Sequence, residues 1–160
     1  MPKTRAHSNK FFIIASVILL VSCLRSSIYH ENLSLNDGKW NSGDSLVFKA
    51  LVMDTIQPHS IFLSLRNKGS YSFSNFYAFI STHAPSGAVR TDTVEFVLAD
   101  RHGKWMGKGF GDLWQTTRPF KMGIRFPHTG IYMFTVKQGM RVESLEGIMD
   151  FGIRIDRKNP

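Results

Sequence analysis

Residues 119–137 read PFKMGIRFPHTGIYMFTVK, two strand-like runs on either side of Pro-His-Thr-Gly at residues 127–130. Proline presets a turn conformation and glycine adopts the left-handed backbone at no steric cost, so these four residues are typical of a turn. The pattern predicts a β-hairpin whose strands cover residues 119–126 and 130–137. Antiparallel β structure is therefore the first expectation, and the rest of the chain repeats the signal.

Strand patterns separated by turn sequences recur along the chain. Leu46, Phe48, Ala50 and Val52, for example, alternate with the residues between them, which is the period of a β-strand. The other predicted strands cover residues 61–66, 71–82, 94–99, 105–110 and 149–156. Residues 140–147 hold the only weak helical pattern and are interpreted as a connecting segment. About eight short strands predict an all-β fold, an antiparallel β-sandwich of jelly-roll or immunoglobulin-like type.

Two glycine-containing segments lie between the fourth and sixth predicted strands. In residues 100–103 (Asp-Arg-His-Gly) the order suits a type I turn with Gly103 in the left-handed position, which predicts a tight hairpin. Residues 107–111 (Gly-Lys-Gly-Phe-Gly) have the wrong spacing for a dinucleotide fingerprint, and no helix pattern follows them. We interpret them as strand glycines at a bulge or at a close backbone approach.

The amino-terminal residues have the pattern of an export signal. A segment with three Lys or Arg residues precedes the apolar run 11–21, and the run ends in Leu20-Val21-Ser22-Cys23, which has the form of a bacterial lipobox. In lipobox chemistry the cysteine thiol takes a diacylglyceryl group, the signal is cleaved before it, and the new amino terminus is usually acylated. Two or more acyl chains give durable anchoring. The sequence thus predicts a lipoprotein signal peptide over residues 1–22 and lipidation of Cys23.

A transmembrane anchor and a plain signal peptide are the alternatives to lipidation. The apolar run has 11 residues, whereas a helix needs about 20 to cross a bilayer. Cys23 is the only cysteine in the chain and has no disulfide partner within it. We expect a lipidated tether and N-terminal segment over residues 23–43 and a β-sandwich domain over residues 44–160.

The charge of the chain argues against a nucleic-acid partner. The chain has twenty Lys and Arg residues and twelve Asp and Glu residues. Three of the basic residues lie in the signal, so the remainder has 17 basic and 12 acidic residues and a net charge of +5. The basic residues are scattered, whereas nucleic-acid binding would need a basic stripe. The mild excess slightly favours an anionic lipid surface or an acidic partner.

Candidate catalytic and metal-binding residues do not form a recognisable motif. Beyond the signal, five histidines are far apart in sequence: His30, His59, His83, His102 and His128. Metal sites usually show close ligand spacing, and no serine lies in a Gly-x-Ser-x-Gly elbow. Four carboxylates fall at predicted strand edges and turns: Asp92, Glu95, Asp100 and Asp112. We expect no catalytic residue, metal or cofactor, so an enzyme is disfavoured.

Six aromatic residues leave a carbohydrate-binding function open: Trp40, Trp105, Trp114, Tyr71, Tyr77 and Tyr132. Exposed rings of this kind could stack on sugars, but most large rings in a domain of this size fill the core. Exposure of the three tryptophans distinguishes the two cases. Coplanar exposed rings would favour sugar binding, and buried rings would favour a protein partner.

Four segments carry a family resemblance by their order and spacing: residues 71–75 (YSFSN), 98–109 (LADRHGKWMGKG), 126–132 (FPHTGIY) and 145–152 (LEGIMDFG). Together with Arg141, the lipobox and the length, they resemble the gliding-motility lipoprotein GldH family of the Bacteroidetes. The resemblance implies a cell-envelope lipoprotein that supports gliding and the secretion of adhesins. Cys23 is the only functional position that it carries over.

These observations together predict a membrane-anchored protein that acts without catalysis. We expect protein–protein contacts with other gliding and secretion proteins of the envelope, and no nucleic-acid or small-molecule partner. No acidic run follows Cys23, so we expect the protein to face the periplasm from the outer membrane. The alternative is a carbohydrate- or peptidoglycan-binding envelope lipoprotein.

Overall fold

Residues 27–158, the part of the chain that the computed structural model describes, form eleven β-strands. The strands are β1 (Ser27–Ser34), β2 (Lys39–Asn41), β3 (Ser45–Val52), β4 (His59–Lys68), β5 (Asn75–His83), β6 (Val89–Val97), β7 (Lys108–Phe110), β8 (Leu113–Ile124), β9 (Gly130–Gln138), β10 (Ser144–Glu146) and β11 (Ile148–Arg157). A short 3-10 turn at Asn36–Gly38 joins β1 to β2. Within residues 27–158 we find no helix that is long and apolar enough to cross a bilayer.

Two antiparallel sheets form a β-sandwich, which confirms the predicted fold class. One sheet has five strands in the order β1-β11-β4-β8-β7, and the other has four in the order β3-β9-β5-β6. The ribbon β2-β10 stands apart from both. Each predicted strand corresponds to one observed strand, and β1, β2 and β10 are additional. Strands β2 and β10 have three residues each, too few to show a period in the sequence.

The predicted hairpin over residues 119–137 is wrong in its pairing. Strand β8 pairs with β4 and β7 in the five-stranded sheet, whereas β9 pairs with β3 and β5 in the other. The turn between them therefore connects one sheet to the other. Phe126 is buried there and packs on Tyr132, with ring centroids 4.7 Å apart. A short turn can return along one sheet or cross the roughly 10 Å between sheets, and turn composition alone does not distinguish the two.

The predicted turn at residues 100–103 is confirmed. The N–H of Gly103 donates to the carbonyl of Asp100 at 3.0 Å, and Gly103 has a φ of 81°. The carboxylate of Asp100 accepts hydrogen bonds from the N–H groups of His102 and Lys104. A single β-bridge pairs Ala99 with Trp105 and closes the hairpin.

Aromatic side chains from both sheets and from β2 fill the core. The ring of Phe151 on β11 lies within about 6 Å of the rings of Trp40, Phe48 and Phe96. All four side chains are buried. Full burial of such a side chain contributes about 1.5–3 kcal/mol relative to exposure, so this cluster holds the two sheets and the ribbon together.

The range 23–43, expected to be the lipidated tether and N-terminal segment, contributes strands β1 and β2 to the fold. Strand β1 pairs with β11 along its length, and Ile28 and Leu33 pack against the core. Residues 1–22 and Cys23, on which the predicted signal peptide and lipidation site fall, lie outside the described residues.

Candidate functional site

The two ends of the sandwich carry different surfaces. We call one the basal end; it gathers the start of β1, the end of β11 and three connections, residues 53–58, 84–88 and 125–129. The strand register brings these parts together, because Ser27 lies opposite Asp156, and His59 lies opposite both Arg157 and Ile124. The opposite, distal end includes the connection between β6 and β8, residues 98–112.

Two large apolar side chains are exposed on the distal connection. The side chain of Phe110, the last residue of β7, is 91% exposed, and that of Met106 is 63% exposed. Strand β7 is an edge strand that pairs only with β8. An edge strand with a projecting aromatic ring offers both backbone hydrogen-bonding groups and apolar area to a partner. This connection is the candidate protein-binding site.

Glycines 107 and 109 allow β7 to lie close against β8. A Cβ added at Gly107 would come within 2.6 Å of the carbonyl oxygen of Gln115, and one at Gly109 would come within 2.6 Å of the Trp114 ring. The predicted close approach of another backbone is therefore confirmed. A strand, β8, follows these glycines, so the segment lacks the helix that a dinucleotide fingerprint requires.

The four carboxylates singled out in the sequence hold separate structural contacts. Asp92 pairs with Lys121 at 2.8 Å, Glu95 accepts from the amide of Asn75 at 2.8 Å, Asp100 caps its own turn, and Asp112 accepts from the N–H of Gly69 at 3.2 Å. The structure does not bring them together into a paired acid and base. Across residues 27–158, no three His, Cys, Asp or Glu side chains are grouped so that they could hold a metal ion.

His59 is the one buried histidine of the five. Its ring packs against Phe126, with centroids 5.3 Å apart. Neither ring nitrogen makes a hydrogen bond of ordinary geometry with a described residue, although the backbone of Gln57 lies near the ring. Burial lowers the pKa of His59, because the charged imidazolium loses its hydration, although the nearby Asp54 carboxylate partly opposes the shift. The shift favours the neutral ring, and the contact with Phe126 indicates a packing role for His59.

A mainly apolar cavity of about 410 Å³ opens at the basal end. Its walls come from the β5–β6 turn and the end of β8, and they include Val89, Phe120 and Phe126. The ion pair of Asp92 and Lys121 lies at this cavity, and the Lys121 ammonium lies 4.7 Å from the Phe120 ring centroid. The size is within the range of small-ligand sites, but the lining has few polar groups to orient a polar substrate.

None of the three tryptophans offers an exposed stacking platform. Trp40 is fully buried in the core, and Trp105 and Trp114 are partly buried. Tyr71 and Tyr132 are buried as well. Because these rings are buried or partly buried, their role in the core is favoured over a role in sugar binding.

Sequence reasoning missed the exposed apolar residues of both ends. Met53 and Ile56 lie in the loop between β3 and β4, and Phe110 ends β7 directly before the turn glycine Gly111. The available signal was a large apolar residue inside a turn-forming segment, where solvent-exposed polar residues are usual.

The fold and these surfaces define a class of protein, an antiparallel β-sandwich domain with exposed apolar side chains at both ends of the sandwich. The model of a known family, GldH lipoprotein, matches residues 27–155, which is most of the chain. The chain therefore belongs to the GldH lipoprotein family, and the resemblance drawn from the four sequence segments is confirmed.

Two relatives match this chain over nearly its whole length. "Gliding motility lipoprotein GldH" of Flavobacterium johnsoniae is 31% identical over 158 residues, covering 94% of this chain and 98% of that protein. "Gliding motility lipoprotein GldH homolog" of Christiangramia forsetii is 29% identical over 162 residues, covering 97% and 99%. Among solved structures, the VP2 subviral particle of infectious bursal disease virus aligns with a TM-score of 0.42 at 12% identity, over 79% of this chain and 32% of that one; this likeness is too low to carry an argument.

Proposed function

We propose that this protein is a cell-envelope lipoprotein, anchored through a lipidated Cys23, that supports gliding motility and the associated secretion of adhesins. The observation that carries the proposal is the full-length match to a protein named for gliding motility in Flavobacterium johnsoniae. The lipobox ending at Cys23 supports the anchor. We further propose that the protein faces the periplasm from the outer membrane.

The proposed mechanism is non-enzymatic and relies on protein contacts at the distal end. Phe110 and Met106 are the large apolar side chains that this connection exposes to solvent, and large exposed apolar side chains that cluster on one element are typical of interaction sites. The dispersed carboxylates and histidines support a binding role over catalysis. Partners would be other envelope proteins of the gliding and secretion machinery.

Genetic replacement in a gliding host tests this function. A deletion strain should lose colony spreading and adhesin secretion, and the wild-type gene should restore both. Phe110→Ser combined with Met106→Ser should fail to restore them while the protein still accumulates, because the partner loses its apolar contact. Val47→Ser, which removes an exposed apolar side chain from the outer face of the four-stranded sheet, is the matched control and should restore both.

Membrane fractionation tests the anchor separately. Cys23→Ala should move the protein from the membrane fraction to the soluble fraction. Retention of Cys23→Ala in membranes at high salt would contradict the lipid anchor. A deletion strain that spreads and secretes adhesins normally would contradict the motility function.

A further inference from the structure

The position of β1 limits which part of the sandwich can be near the membrane. Ser27 is four positions after Cys23, and an extended chain spans at most ~3.6 Å per residue, so the two Cα atoms are at most about 14 Å apart. Ser27 lies at the basal end, opposite Asp156. The strands of eight to ten residues make the sandwich roughly 30 Å long. An anchor at Cys23 therefore keeps the basal end close to the bilayer, but it does not by itself set the direction of the distal end.

The most exposed apolar side chains of the basal end lie on the β3–β4 loop. Ile56 is 78% exposed and Met53 is 72% exposed. The loop is held in place by hydrogen bonds. The Asp54 carboxylate accepts from the N–H groups of Ile56 and Gln57 at 2.9 and 3.0 Å, and the Arg125 guanidinium donates to the carbonyl of Ile56 at 2.9 Å. These bonds fix an apolar tip in solvent instead of folding it onto the core.

Further exposed apolar residues of the same end lie on four other strands: Leu51, Val89, Met122 and Ile131. They lie at the strand positions nearest the basal connections: Leu51 pairs with Ile131, and Val89 pairs with His83, the last residue of β5. Leu51 and Ile131 lie on the outer face of the four-stranded sheet, because their neighbours Val52 and Tyr132 are buried. Exposed apolar residues of both sheets therefore border the basal end.

The charges at the basal end have a basic excess. The basic side chains near it are Arg90, Lys121, Arg125, Arg157 and Lys158. The acidic side chains there are all paired. Asp54 pairs with Arg157, and Asp92 pairs with Lys121 and Arg90. Asp156 pairs with Arg154. A basic excess around exposed apolar side chains is the combination that binds an anionic lipid surface.

We propose that the basal end docks on the surface of the membrane that holds the anchor, with Ile56 and Met53 in the headgroup region. The inference rests on the proposed lipid anchor at Cys23. It assigns the basal end to lipid and leaves the distal connection, about 30 Å away along the strands, free to meet a protein partner. The second contact fixes the orientation of the domain, which a single anchored cysteine would leave undetermined.

Photo-cross-linking of the full lipidated chain tests the orientation. A benzophenone amino acid is placed singly at Ile56 or Met122 at the basal end, at Phe79 on the outer sheet face, or at Phe110 at the distal end. Each protein is reconstituted into vesicles of phosphatidylethanolamine with or without phosphatidylglycerol, irradiated, and analysed for phospholipid adducts by mass spectrometry. All four native side chains are exposed, and two basal positions on different elements guard against a local folding defect.

The expected result is several-fold more phospholipid adduct at Ile56 and Met122 than at Phe79 or Phe110, with an increase when phosphatidylglycerol is present. Equal adduct at all four positions, or most adduct at Phe79, would overturn the proposal. Cross-links from the basal positions to a second protein, without phospholipid adducts, would also overturn it. Mass spectrometry of the acyl groups on Cys23 reports on the anchor alone, so failure of the anchor and failure of the orientation are distinguishable.

Discussion

At the residue scale, His59 shows how packing decides the role of a titratable side chain. The sequence offers five widely spaced histidines beyond the signal, and only the fold buries one of them against Phe126. Burial lowers the pKa of His59. The folded protein therefore resists protonation of this ring, whereas the unfolded chain takes a proton near the ordinary pKa of about 6.5.

The pH dependence of stability follows from this difference. Between the lowered pKa of the folded state and the ordinary value of about 6.5, the unfolded state binds more protons at this position than the folded state. The free energy of unfolding should therefore fall as the pH drops through about 6.5. His59→Leu should reduce that fall, because the ring no longer has to stay neutral. Urea unfolding followed by tryptophan fluorescence at several pH values measures the slope.

The matched control for this prediction is His102→Leu, which changes an exposed turn histidine. It should leave the pH slope as in the wild type. An unchanged slope in His59→Leu would show that other groups account for the acid sensitivity.

At the element scale, two connections of similar appearance in the sequence have opposite outcomes. Residues 100–103 close a hairpin within one connection, as predicted, because Asp100 accepts two backbone hydrogen bonds of its own turn. The turn at residues 125–129 instead joins different sheets, and Phe126 is buried there. Local hydrogen bonding could be anticipated from the residues, whereas the crossing depended on the distant partners of β8 and β9.

The β7–β8 hairpin should depend on the absence of a side chain at residue 107. Gly107→Val would place Cβ against the carbonyl oxygen of Gln115, so β7 should separate from β8. Because β7 is exposed along its length, the free energy of unfolding should change by about 1 kcal/mol or less. Hydrogen exchange should instead become faster in residues 108–110 and at their partners on β8.

Gly43→Val is the comparison for the hairpin variant, since a Cβ there meets no atom within 4 Å. It should leave exchange in residues 108–110 unchanged. Wild-type exchange in Gly107→Val would mean that the hairpin tolerates the side chain and that the glycine has no role in its closure.

At the scale of the whole molecule, the core extends beyond the domain limits expected from the sequence. The expected domain began at residue 44, yet β2 places Trp40 in the core against Phe76 and Phe151. Strand β1 also covers one edge of β11. Both segments contain many polar residues and therefore resemble a tether in the sequence. The burial of β1 alternates only partly, so it has no clear strand period.

A chain that begins at residue 44 should therefore fail to fold. It would lose the buried Trp40 side chain, whose removal alone costs about 3–5 kcal/mol, and it would expose an edge of β11. Such a loss is comparable to the whole stability of a small domain, about 5–15 kcal/mol. Circular dichroism and urea titration would compare it with a chain that begins at residue 27, which should unfold cooperatively. Equal unfolding midpoints would support the boundary at residue 44.

The sequence by itself determined the class of fold, the strand positions with a clear period, the turn at residues 100–103 and the family. These depend on local patterns: alternation that matches the strand period, and turn residues whose conformational preferences are intrinsic. The tertiary structure alone decided that β8 and β9 belong to different sheets, that the tryptophans are covered, and that the start of β1 lies at an apolar, basic end. Each of these depends on which distant residues meet across the core, and that information is not present in any single segment of the chain.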